Sequence, residues 1–445
     1  MDTTLRGLNR FGLGARVGER TRISDAKAWL DAQLQGAPPA LAAPPAGSPA
    51  SLGEAIRGFR AAARATPEQR QQLRRRLVEI ASQEGVAALT MRVASDRPFV
   101  ERLVAFWSNH LCISAAAKVL VAPLAGSYER EAIRPHVLGR FEDMVLASAK
   151  HPAMLVYLDN FQSIGPNSRG VRRGRGRRGL NENYARELLE LHTLGVNGGY
   201  TQQDVQEFAK ILTGWTVDGL QNGGREVGFT FREPLHEPGA RTVLGKRYPD
   251  AGVAQGEQVI RDLCRHPSTA TFVATKLVSH FVSDEPPAAA VERIAAVFRS
   301  TGGDLRAVAT AVVNAPEGWM ENTRKFRTPQ DWLVAVLRAV DAPGVNAMTL
   351  PVLRQLRHPL WAPQAPKGFG DTVQEWADPD SLLNRAELAR TLARRMRDAR
   401  IDVAALVDVV DVGATDPVRT LLSDTSIPAA DRVALAIAGP AFQWR

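Results

Sequence analysis

Helical periodicity recurs along this chain, and strand-like alternation interrupts it in one region. RPFVERLVAFWSNHL, residues 97–111, sets the pattern, with Phe99, Leu103, Phe106 and His110 on one helical face. Similar patterns predict helices over 23–35, capped by Ser24 or Asp25, and from Pro67 after a Thr66 cap. More follow over 127–149, with Pro135 early in the helix or kinking it, and at about 182–194 and 202–214. Residues 255–281, 288–301, 305–314 and 329–340 continue the series. EVGFTF alternates, and ARTVLGKRY is β-like after the turn EPG, which predicts a hairpin within 225–248. The expected fold is mainly α, a large multi-helical domain with a small β-hairpin insertion.

GAPPALAAPPAGSPASLG, residues 36–53, reads as a linker or surface crossing. It divides an N-terminal helix and Ala/Pro-rich linker, 1–53, from a single large helical domain, 54–445. With 44% hydrophobic residues over 445 positions, a sizeable core is expected. PLWAPQAPKGFGDTVQEWADPDS, residues 359–381, is a proline- and tryptophan-rich loop of a kind that is often functional. The two cysteines, Cys112 and Cys264, are not in a CxxC pair, which argues against a disulfide framework and a Cys-rich zinc site. Both read as small buried hydrophobes. The N-terminus lacks the apolar run of a secretory signal, so a cytoplasmic location is expected. No uninterrupted apolar stretch is long enough for a transmembrane helix.

The net charge of +9 permits an anionic partner, and much of the excess sits in Arg70 to Arg76 and Arg169 to Arg178. The first cluster reads as a solvated helix face. The second, with Arg172, Arg173 and Arg175, is glycine-punctuated and is a candidate contact for an anionic ligand. Directly behind it Asn181 is placed to cap a helix. At ~100° per residue, Glu182, Asn183, Arg186, Glu187, Glu190 and Thr193 share one polar arc, and His192 falls on the apolar side. That arc is either a solvated ladder of Glu182, Arg186 and Glu190 or the wall of a cleft, with Glu182 as general acid, base or ligand and Arg186 holding its charge. Thr201 and Asp204 make a variant capping box for the next helix. The two helices and their glycine turn invite a helix-turn-helix reading, but their glutamates and Asp204 argue against phosphate contact. A nucleic-acid partner is therefore not expected.

FWSNHL (106–111), HPAMLVYLDN (151–160), GLNENYARELLELHTLGVNGGYTQQDVQEFAKILTGW (179–215), LHEPGARTVLG (235–245), HPSTATFVATKLVSHFVSDEPP (266–287) and the terminal ALAIAGPAFQ resemble domain-of-unknown-function family 1800, which is bacterial. The resemblance runs nearly end to end. It implies no established activity. It marks as motif residues Trp107, Asn109, His110, His151, Asp159, Asn160, Asn181, Glu182, Asn183, Arg186, Glu187, Glu190, Thr213, Gly214, Trp215, His236, His266 and Lys276. Relatives often begin with an export signal or are encoded beside an exported protein. The resemblance therefore also implies periplasmic location or export with such a partner.

Two function classes follow. One is a hydrolase-like enzyme on a polymer such as a polysaccharide, with Glu182 and Asp159 as carboxylates and His110 and Arg186 beside them. The alternative is a non-enzymatic assembly or binding partner of a secreted or surface protein, using the Trp361–Trp376 loop and the arginine arm. In either class Asn109, Asn181, Asn183, Glu187, Glu190, Trp215, His236 and Lys276 are candidate binding residues. His110, Glu182, Glu187 and His236 lack metal-site spacing, and no cofactor is indicated. His110 and His192 read as core histidines, and His151 and His266 as local caps. A half-buried Lys276 requires an anionic partner, which the loop carboxylates could supply.

Overall fold

The computed structural model describes residues 2–61, 66–171, 179–219, 227–341, 344–395, 403–410 and 416–445. Helices dominate, and the strands form two antiparallel pairs. The mainly α fold and a hairpin within 225–248 occur as expected, and a second strand pair adds to them. Gly228–Phe231 pairs with Trp215–Asp218, not with the later β-like segment. Arg241–Val243 and Lys246–Tyr248 close their own tight hairpin over Leu244 and Gly245, which both have positive φ. Trp215 makes the difference. Its indole is fully buried and stacks edge-on against Phe229, which draws the first strand onto residues that read as the end of a helix.

Local capping chemistry sets most helix boundaries. Asp25 caps Ala26–Gln33. Thr66 and Gln69 form a full capping box on Pro67–Ala94, and Thr201 and Asp204 do the same for Gln202–Ile211. His151 and His266 cap the helices that open at Pro152 and Pro267, each ring nitrogen accepting the N–H two residues on. His266 also divides the expected 255–281 helix into Val253–Arg265 and Pro267–Phe281. The expected 127–149 helix is broken as well. It runs through a π turn, Glu129–Ile133, and a 3-10 turn, Arg134–His136, before Phe141–Lys150 resumes the α-helix. Pro135 has no N–H to continue the ladder, and its ring crowds the preceding turn. Residues 36–53 are more structured than their composition suggests, since Pro49–Ala61 is helical and Leu41 and Leu52 are buried.

The apolar side chains sort into two cores. The larger runs from Phe11 through the helices up to Val313. The second joins Leu5, Leu8, Leu13 and Ala15 to Leu89, Trp332, Val336, Leu388, Ile437 and Phe442. Each fully buried Leu, Val or Phe contributes about 1.5–3 kcal/mol relative to exposure. Arginine stitches the seam between the cores. Arg338 donates to Gly14 O, Val93 O and Ser95 O. Arg10 donates to Phe281 O and Val282 O. Arg102 reaches Gly12 O at 2.5 Å. Part of the positive charge in the composition is thus interior, where carbonyl groups satisfy it. Arg70, Arg74, Arg75 and Arg76 lie on an exposed face.

Candidate functional site

A cavity of about 270 Å³ lies where the two cores meet. Phe106 and Ile113 line it from one core, and Leu13 and Val334 from the other. Its walls are the helices Pro98–His110, Pro267–Phe281 and Pro329–Ala339. Residues 358–375 form a strap along one side. A concave, mostly apolar space with a few polar groups is the usual form of a small-molecule site.

The strap is the proline- and tryptophan-rich loop of the sequence. Asn109 holds it, donating from Nδ2 to Phe369 O and accepting the Phe369 N–H at Oδ1, both at 2.8 Å. Gly368 makes this approach possible: its φ is +83°, and a β-carbon there would sit 2.5 Å from Asn109 O. At the other end Trp361 has a φ of 52°, an uncommon conformation for a bulky residue. Two hydrogen bonds hold it there, Trp361 Nε1 to Glu129 Oε2 and Ala115 N to Trp361 O, each 2.8 Å. His358 packs between Phe369 and Trp376.

Buried charge frames the cavity. Asp331 accepts from Arg102 Nη1 at 3.0 Å and lies 3.5 Å from Arg445 Nε. Burial alone would raise its carboxyl pKa, but Arg102 and Arg445 outweigh burial and hold it well below the carboxylate range. Asp371 meets His280 Nδ1, and its own carbonyl accepts from Lys325 Nζ. Burial opposes ionisation of Asp371 too, and His280, Lys325 and Arg445 overcome it. His280 itself is lowered, chiefly by burial and against the pull of Asp371. Arg92 is held by Glu129 at 2.8 Å.

Lys276 is different. It enters the cavity half-buried, its Nζ 5.5 Å from the centre of the Phe272 ring. Among the described residues its ammonium has no carboxylate or hydrogen-bond acceptor. The loop carboxylates expected to supply one are engaged elsewhere. Burial pushes the Lys276 amine down to about 8, against the opposing pull of Asp371. Cys112 lines the same cavity with its Sγ 3.0 Å from Pro366 O, and burial pushes its thiol up to about 12.

Of the sequence candidates, Asn109 and Lys276 come together here, and the other described ones lie outside the cavity lining. His110 is buried behind it, with Nε2 3.1 Å from His192 O. Both rings are held neutral, first by burial and then by the Lys276 charge, His192 down to about 3. Glu182 sits at the surface with Arg186 at 3.3 Å and Gln202 at 2.7 Å. The third rung of the ladder does not form, because Glu190 instead accepts from Tyr200 at 3.1 Å. A π turn over Leu188–Thr193 advances the chain by a different angle per residue and also carries Thr193 into the interior. Glu187 is half-buried, and its carboxyl is raised by burial and by Glu190. Asn181 accepts the Asn183 N–H at 2.9 Å, one residue later than the expected helix start. Asp159 ends a helix in left-handed backbone and pairs with Lys118 at 2.7 Å.

Trp215 and His236 belong to a structural joint. Asn160 donates to Leu212 O and Trp215 O, His236 Nδ1 lies 2.9 Å from Thr213 O, and Thr213 Oγ1 accepts the Glu237 N–H. Arg172, Arg173 and Arg175 lie outside the described residues. Arg169, at the edge of that run, is exposed and 3.7 Å from Glu233. Among the described residues no group of three or more His, Cys, Asp or Glu could hold a metal ion, and no helix is long and apolar enough to cross a membrane.

Periodicity gave no sign of Asp331, Asp371, His280 or Glu129. The one local signal was the composition of 359–381, which marks the strap. Comparison with curated proteins and with solved structures finds no match. The family model described as "Protein of unknown function (DUF1800)" matches residues 6–444, nearly the whole chain, and the chain belongs to that family.

Proposed function

We propose that this chain is a binding protein for a small ligand with a carboxylate or phosphate group, held in the cavity by Lys276. One observation carries the reading. Among the described residues Lys276 is a half-buried cation without a counter-ion, while Arg92, Arg102, Lys325 and Arg445 around the same space all face carboxylates. Removing an ammonium from water without a partner is costly, and a bound anion supplies the missing interaction. Asn109 contributes by holding the strap that completes the wall.

The test is a thermal-shift and calorimetric titration with a panel of sugar acids, monocarboxylates and phosphorylated sugars. At a ligand concentration of 100 Kd the folded state gains about 2.7 kcal/mol, a readily measured rise in Tm. At least one anion is expected to stabilise the native chain saturably, and Lys276→Met should abolish the effect. No response to any anion, or an unchanged response in Lys276→Met, overturns the reading.

A second reading is a hydrolase that cleaves polysaccharide through Glu182 and Asp159. It is favoured by the Asn181 side chain, which donates to Leu158 O at 3.2 Å and so joins the two segments that carry these partly exposed carboxylates. Under this reading Glu182→Gln lowers the release of reducing ends from a polysaccharide panel by about 10²-fold or more. Equal release by native and variant protein, or none by the native, sinks it.

A further inference from the structure

The lysines of this chain divide by environment. There are eight. Lys118, Lys150, Lys210, Lys246 and Lys325 each sit against a carboxylate. Lys27 and Lys367 are exposed, although Lys367 also lines the cavity. Lys276 alone is half-buried, faces a cavity and lacks a carboxylate among the described residues. A carboxylate partner locks an amine in its protonated form, and exposure leaves it hydrated. A desolvated amine without a counter-ion is the form in which lysine acts as a nucleophile.

We propose that Lys276 is an amine nucleophile that captures an aldehyde- or ketone-bearing ligand as an imine. This rests on the cavity being a ligand site, as inferred above, and adds a carbonyl group to what the ligand carries. The amine lone pair attacks the carbonyl carbon. The C=O π pair moves to oxygen, which takes up a proton, and nitrogen gives one up. A second proton on that oxygen lets the C–O bond leave as water while the nitrogen pair completes the C=N bond, and the nitrogen then gives up its remaining proton. Nothing is oxidised or reduced, and one water is released.

The surroundings suit both steps. Lys276 lines the cavity, and the Phe272 ring covers one side of its amine. The Ser279 hydroxyl lines the same space and can relay the proton, while the Cys112 thiol is engaged with Pro366 O. Cys112 stays a thiol because burial raises it, so it does not compete as a thiolate. With Lys276 at about 8, about a tenth of the amine is neutral at pH 7, against less than about one part in a thousand for an ordinary lysine.

The experiment treats the full chain at pH 7 with glyoxylate and sodium cyanoborohydride, which reduces an imine to a stable carboxymethyl adduct. Peptide mass mapping then follows each lysine. Lys276 is expected to react at least about tenfold faster than Lys27 and Lys367, with a rate that levels off above pH 8. Lys276→Arg keeps a cation in the cavity and should lose the adduct while retaining the anion-dependent rise in Tm. Equal or faster labelling of Lys27 and Lys367 overturns the nucleophile. If the thermal shift persists in that case, anion binding stands alone. If neither adduct nor shift occurs, both readings fall.

Discussion

Acidification below about pH 6 is expected to destabilise this chain steeply before its carboxylates titrate. His110, His192 and His358 are buried, and burial holds all three rings neutral, His192 and His358 down to about 3. Lys276 adds to the effect at His110 and His192. In the unfolded chain each ring returns to about 6.5. Between those values the unfolded state binds more protons than the folded state, so stability rises with pH and is lost as pH falls. Each such histidine contributes a slope of about 1.4 kcal/mol per pH unit. His192 and His358 together give about 3 kcal/mol per pH unit, against a total stability of about 5–15 kcal/mol. Asp331, Asp371 and Glu129 are held below the ordinary carboxylate range and add their own loss below about pH 4. Urea titrations at pH 7.5, 6.0 and 5.0, followed by tryptophan fluorescence, measure the slope. His192→Gln and His358→Gln should each remove about one proton from it. A midpoint that does not move between pH 7.5 and 5.0 contradicts the buried neutral histidines.

The same residues show what local sequence reveals and what it conceals. His151 and His266 each precede proline, and both cap the helix that begins there, because capping depends on neighbours two residues away. Thr201 with Asp204 is legible for the same reason. His110 and His192 are recognisable as core residues because each continues an apolar stripe. The polar arc of Glu182 was less secure. It takes a constant angle per residue, and the π turn at Leu188 changes that angle. The cavity is the extreme case. Asn109 meets Phe369, His280 meets Asp371 and Glu129 meets Trp361, pairs separated by 260, 91 and 232 residues. No periodicity encodes such meetings. The family motif marks Asn109 and Lys276, and composition marks the strap. Asp331 and Asp371 carried no mark at all, since an isolated aspartate near a helix start is most simply a cap.

Replacing Glu129 by alanine should be the most damaging single change at the cavity wall. The carboxylate is fully buried and meets Arg92 at 2.8 Å, Arg134 at 3.2 Å, Ser108 Oγ at 3.2 Å and Trp361 Nε1 at 2.8 Å. Burial opposes its charge, and Arg92 and Arg134 outweigh burial. The four partners do not lose equally. Arg134 keeps Glu101 at 2.6 and 3.0 Å. Among the described residues Arg92 keeps only the neutral Gln330 amide oxygen at 3.2 Å, and Trp361 loses one of the two bonds that hold its left-handed backbone. A buried charge stripped of its partner costs about 3–5 kcal/mol. The expected result is therefore a fall of that size in unfolding free energy for Glu129→Ala, together with faster amide exchange across residues 359–371. The effect of Trp361→Phe on top of it should be smaller than in the native chain, because the shared hydrogen bond is already gone. Full additivity of the two substitutions, or unchanged exchange in the strap, would show that Glu129 does not anchor Trp361. If coupling is found, the buried pair with Arg92 and the wall of the Lys276 cavity are one structural unit, and access to the amine depends on a carboxylate that never reaches solvent.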